Sequence, residues 1–243
     1  LNENLLDLLK FEDSVFCGNL LLVKIYFSID NAFYNIEKGL CIAIERGYLH
    51  IIKDLFETDF VEKIGINDNG IVNVFVKAIQ NQQTEIFNYL YNQTNLVNIL
   101  KPDSLFTLLS YSCYIGDLKI TQLLTDFIIE KNIDRDFSNP FLCAACSDHD
   151  KFCQYFFDRK VVINYTDLAM QKSILTCCKK SIFIILFNSV DPEVKETFLR
   201  QFLNESIKNQ NVEVVDFLLQ EEDSHEDTLF EAISTKNSEI VNI

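Results

Sequence analysis

The sequence predicts an all-α fold, an α-solenoid of stacked antiparallel helix pairs. Three observations carry that expectation. The chain has only 6 Gly and 3 Pro in 243 residues, too few for a β-sandwich or barrel, which needs turn signals every ~8–12 residues. A short apolar pattern recurs along the chain at steps of about 26–35 residues, a solenoid period. In most copies a small residue precedes a hinge by four, and apolar residues follow it by four, five and eight.

The copies run in order. "FEDSVFCGNLLLVKIYF" (11–27) hinges at Gly18, then carries Leu22, Val23 and Tyr26. "GLCIAIERGYLHIIKDLF" (39–56) places Ala43 before Gly47 and Ile51, Ile52 and Leu55 after it. "FVKAIQNQQTEIFNYL" (75–90) has Ala78 before Gln82, then Ile86, Phe87 and Leu90. "LSYSCYIGDLKITQLL" (109–124) has Ser112 before Gly116, then Ile120 and Leu124. "FLCAACSDHDKFCQYF" (141–156) has Ala144 before Asp148, then Phe152, Cys153 and Phe156. A degenerate copy lies in 173–187, with its hinge near 180. "LNESIKNQNVEVVDFL" (203–218) has Ser206 before Gln210, then Val214, Val215 and Leu218. The last, 229–243, has Ala232 before Lys236, then Ile240 and Val241.

Each recurring position has a physical reason. A large apolar residue stands seven before the hinge: Phe11, Leu40, Phe75, Leu109, Phe141, Leu203 and Leu229. The small residue four before it lets the neighbouring helix pair approach. The hinge turns the chain between two helices with φ > 0, which Gly adopts without strain and Asn or Asp tolerate. The three residues after it make one apolar stripe on the second helix. Neither helix buries its stripe alone, so stacked neighbours must share a core.

The series resembles the ankyrin repeat. In 134–157, Asn139-Pro140-Phe141-Leu142 stands where that family's T-P-L-H lies, Ala144-Ala145 match its A-A, Asp148-His149 match its G-H, and Asp134 falls at the preceding hairpin's Asp. The resemblance covers residues 11–243. It implies about seven to eight divergent repeats in a single array over 1–243. T-P-L-H is mostly lost elsewhere, and the linkers 57–73 and 91–105 depart from the usual hairpin, the second with room for extra helix. The tetratricopeptide repeat shares a ~34-residue period, but the small residue and the hinge-to-stripe spacing recurring together favour ankyrin. In ankyrin repeats the first helix lines a concave groove at one, two and five positions before the hinge. That implies partner-binding roles for Glu45, Arg46, Lys77, Gln80, Asn81, Tyr111, Tyr114, Ile115, Cys143, Cys146 and Ser147. Tyr111 and Tyr114 are the expected anchors, because exposed aromatics ringed by polar groups dominate protein interfaces.

Composition narrows the function classes. The formal charge is −15, from 36 Asp+Glu against 21 Lys+Arg. Nucleic-acid binding needs a basic stripe to displace counterions, and a local basic pair such as Lys179-Lys180 is too small to supply one. Anionic membranes are disfavoured for the same reason. No segment reaches the ~18 consecutive apolar residues of a membrane span, and the N-terminus lacks the basic-then-apolar pattern of a signal peptide. Eight Cys sit mostly within apolar helical patterns, where the thiol packs as a small hydrophobe, and a chain with a core of this size does not need disulfides. The expectation is an intracellular, cytoplasmic protein. Leu1 is no initiator and Ile243 stops inside a helix, so we expect a fragment of a longer chain.

The candidate chemistry is thin. Cys143, Cys146, His149 and Cys153 have zinc-like spacing. The repeat frame sets them on two helices and a turn, so they should not converge. Cys177-Cys178 beside Lys179 and Lys180 could be a low-pKa thiol pair, although packing is the simpler role. His50, His149 and His225 have no nucleophile and acid at a triad-like spacing. Glu221-Glu222-Asp223 reads as a solvated loop, and there is no Gly-rich phosphate loop. The chain is therefore expected to be a non-catalytic scaffold that binds a partner protein, with no cofactor and no metal. The alternatives are the targeting arm of an enzyme whose catalytic domain lies outside this chain, and a purely structural α-solenoid.

Overall fold

Where they are described, the periodic segments become helices. The computed structural model describes residues 11–28, 36–57, 68–93, 96–133, 136–164, 174–175, 179–190 and 192–221. Among these it is all-helical, with thirteen α-helices, one 3-10 turn and no strand. The chain divides into two compact units, Leu1–Lys131 and Asn132–Ile243.

The first unit holds α1 (Phe11–Phe16), α2 (Leu20–Ser28), α3 (Ile36–Glu45), α4 (Leu49–Glu57), α5 (Asp68–Gln80), α6 (Thr84–Gln93), α7 (Pro102–Ile115) and α8 (Leu118–Glu130). Consecutive helices pair as α1–α2, α3–α4, α5–α6 and α7–α8. The first members also stack in succession: α3 packs on α1, α5 on α3, and α7 on α5. Among the second members, α6 packs on α4. The linker 91–105 does carry extra helical structure. A 3-10 turn over Leu96–Ile99 packs on α6, and α7 opens at Pro102, whose fixed φ suits a first helical turn.

The second unit holds α9 (Ser138–Cys146), α10 (Asp150–Asp158), α11 (Lys180–Ser189), α12 (Pro192–Lys208) and α13 (Val212–Glu221). Here α9 pairs with α10 and α12 with α13, while α11 packs on both α10 and α13. Asp136 ties two loops of this unit together. Its Oδ1 accepts from the Ser138 hydroxyl and backbone N–H and from the Asn164 N–H. Beside it the Phe137 N–H donates to the Val162 carbonyl at 2.8 Å. Asp134, expected at the place of the preceding hairpin's Asp, lies outside the described residues.

The hinges obey one local rule. Gly18, Gly47, Gln82, Gly116, Asp148 and Gln210 all have φ between 54° and 86°. Each is followed by a residue whose backbone N–H donates to the carbonyl of the small residue four before the hinge. The pairs are Asn19 to Ser14, Tyr48 to Ala43, Gln83 to Ala78, Asp117 to Ser112, His149 to Ala144 and Asn211 to Ser206. This left-handed C-terminal cap closes the first helix. The same following residue then starts the second helix. Oδ1 of Asn19, Asp117 and Asn211 accepts the N–H of Leu22, Ile120 and Val214, three residues on, an N-cap that satisfies an otherwise orphan donor.

The core is built from the expected positions. Leu40, Phe75, Leu109, Phe141 and Leu203, seven before the hinge, are fully buried. So are Ile51, Ile52, Leu55, Phe87 and Leu90 after it. Leu22 is half-buried rather than buried. The small residues Ser14, Ala43, Ala78, Ser112, Ala144 and Ser206 are all buried. Ser112 makes a further contact within its own pair. Its hydroxyl lies 2.9 Å from that of Thr121, on the second helix of its own pair.

The degenerate copy, expected to hinge near 180, is described only in part. Lys179 is extended and Lys180 opens α11, so neither is a hinge. Ile182, Phe183 and Leu186 of α11 are buried, and residues 176–178 lie outside the described ones. The final hinge, Lys236, with Ala232, Ile240 and Val241, also lies outside them.

Candidate interaction surface

The residues expected to line the groove lie on the first helices of their pairs. In the first unit, Glu45 and Arg46 end the α3 segment, and Lys77, Gln80 and Asn81 end that of α5. Tyr111, Tyr114 and Ile115 belong to α7. Glu45, Arg46, Gln80 and Asn81 are exposed, while Lys77 and Ile115 are half-buried. Tyr111 is 37% and Tyr114 61% exposed. Three residues apart on one helix, the two rings share a face.

Side-chain contacts run across the stacked helices. Lys77 Nζ on α5 lies 2.7 Å from Glu45 Oε1 on α3, and this hydrogen bond holds the Lys77 ammonium above its usual pKa. Further along, Asn73 Nδ2 donates to Glu37 Oε1 at 2.7 Å, and Lys38 reaches Glu12 at 3.6 Å. Exposed pairs of this kind contribute only about 0–1 kcal/mol each. They do fix which faces of α1, α3 and α5 lie side by side.

The sequence reading missed Phe16. It stands two before Gly18, the position that Glu45 and Tyr114 hold in their own repeats, and it is 50% exposed. The Arg46 guanidinium lies 3.9 Å from its ring centroid, a cation–π contact across α1 and α3. The frame that selected Tyr114 would have selected Phe16 had it been extended to the first repeat.

In the second unit, Cys143 and Ser147 are half-buried and Cys146 is exposed. Cys143 and Cys146 lie one turn apart on α9. His149 sits at the start of α10, with its ring 5.2 Å from that of Phe152. Cys153 is fully buried in the apolar stripe. Desolvation, aided by the nearby Asp150 charge, pushes its thiol up to about 12. Among the described residues no group of three or more His, Cys, Asp or Glu side chains is placed to hold a metal ion. Cys177, Cys178 and His225 lie outside the described residues. Lys179 and Lys180 pair with Asp148 at 2.8 Å and Asp216 at 3.7 Å. Among the described residues no helix is long and apolar enough to cross a membrane.

No protein-family model, curated protein or solved structure matches this chain.

Proposed function

We propose that the chain is a divergent ankyrin-like α-solenoid that binds a partner protein through the first-helix row and performs no catalysis itself. Three features support the solenoid reading. One hinge geometry recurs six times. The small residue four before each hinge accepts the same backbone hydrogen bond. In the first unit, first helices stack on first helices. Such a row is a rigid surface whose specificity resides in variable side chains, because the residues that build the stack are buried.

The observation that carries the binding role is the exposure of Tyr111 and Tyr114 together on α7. Folding leaves Tyr114 largely in water and Tyr111 more than a third exposed beside it. Aromatic anchors of this kind supply most of the binding energy in protein interfaces. The test is a pull-down with the intact chain as bait. Any specific partner should bind at least about tenfold more weakly to Tyr111→Ala/Tyr114→Ala, with the far-UV circular dichroism spectrum unchanged. A partner that binds the double variant equally well would remove the row from consideration.

A further inference from the structure

A formal charge of −15 invites the assumption that the partner is basic. The row itself points elsewhere. Glu45 and Lys77 are paired with each other at 2.7 Å, and Arg46 is stacked on Phe16. A charged segment would have to displace these contacts, and it would gain only exposed ion pairs of little worth. The exposed apolar surface lies instead at the two ends of the row, Phe16 on α1 and the Tyr111/Tyr114 pair on α7. Between the ends stand the exposed amide of Gln80 and the side-chain oxygen of Asn81, whose Nδ2 already donates to the Lys77 carbonyl at 2.9 Å. Amides can pair with the backbone of an extended segment, whereas a helix satisfies its own backbone groups.

The spacing can be bounded. From α1 to α7 there are three helix-to-helix steps, through α3 and α5. At ~8–10 Å per step the anchors lie about 24–30 Å apart. An extended chain rises ~3.3 Å per residue, so about seven to nine residues span that distance. Resting on the docking-row reading above, we infer that the partner segment is an extended peptide without net charge. It carries two large apolar side chains about seven to nine residues apart, one seated on Tyr111 and Tyr114 and the other on the exposed half of Phe16.

The experiment is selection of a random 16-residue peptide library on the intact chain. Enriched peptides should share two apolar residues at that separation and carry no basic run. Tyr111→Ala/Tyr114→Ala and Phe16→Ala should each weaken them about tenfold, with the circular dichroism spectrum retained. Raising salt from about 50 to about 500 mM should change affinity less than about threefold, because screening acts on charges. Peptides that need the tyrosines but ignore Phe16, or that are basic and lose affinity steeply with salt, overturn this inference and leave the docking row standing. Peptides indifferent to the tyrosines, or a library that yields no binder, overturn both.

Discussion

At the scale of single residues, the hinge decides most. Gly47 has φ of +72°, and a Cβ placed there would meet Gln83 Oε1 at 3.3 Å. Gly18 has Tyr48 at 3.0 Å in the same sense. At both, the side chain that starts the next repeat's second helix leans over the glycine. Gly47→Ala therefore costs conformational energy and crowds that contact. We expect a loss of about 1–2 kcal/mol in urea denaturation. Gln82 holds the same region at φ of 54° with a side chain, so Gln82→Gly should stabilise by a few tenths of a kcal/mol, the relief partly offset by greater freedom of the unfolded chain. Equal effects of opposite residue type at the two hinges would contradict the common geometry.

At the scale of the element, the second helices carry one buried stripe each, and a thiol takes part in that of α10. Cys153 is raised from 9.0 to about 12 by desolvation and by the charge of Asp150. Cys41 on α3 is raised to about 11 by burial and by Glu37. Each folded thiol holds its proton more tightly than the unfolded one. The stability they contribute is complete below pH 9 and is lost as pH rises from 9 to about 12. Thermal unfolding should therefore fall steeply over that range. The slope should be shallower in Cys153→Ala, even though the cavity lowers its stability at neutral pH. An identical slope in the two proteins would mean that the thiol does not ionise with unfolding. The elements also show how far the pattern could be read. The residues around Gly47 and Gln210 announced both helices, because hinge, small residue and stripe are all local. The copy in 173–187 did not, since no residue in it has both an Ala or Ser four before it and apolar residues four, five and eight after it. The 17-residue α12 was likewise illegible: only its last two turns follow the repeat frame.

At the scale of the whole molecule, the two compact units set the expected cooperativity. Repeat arrays unfold according to nearest-neighbour coupling rather than as a single block. Phe75 is fully buried in the first unit and packs edge-on against Phe87 at 5.3 Å. Phe75→Ala should cost about 3–5 kcal/mol and shift the transition of residues 1–131 while leaving that of 132–243 in place. Hydrogen exchange read by mass spectrometry can follow both. Equal loss of protection in the two units would show that they fold as one.

The sequence by itself determined the helical class, six of the expected hinges and the buried stripe of the described pairs, because these depend on φ preference and on spacings of a few residues within one helix pair. The exposed tyrosines were also within reach, since their place follows from the same local frame. Only the tertiary structure decided that Arg46 covers Phe16, that Glu45 meets Lys77, that Ser112 meets Thr121 and that Asp136 joins two loops. The first two contacts join residues about thirty apart in the chain. Stacking one pair on the next creates them, and no periodicity within a pair encodes which side chains then meet.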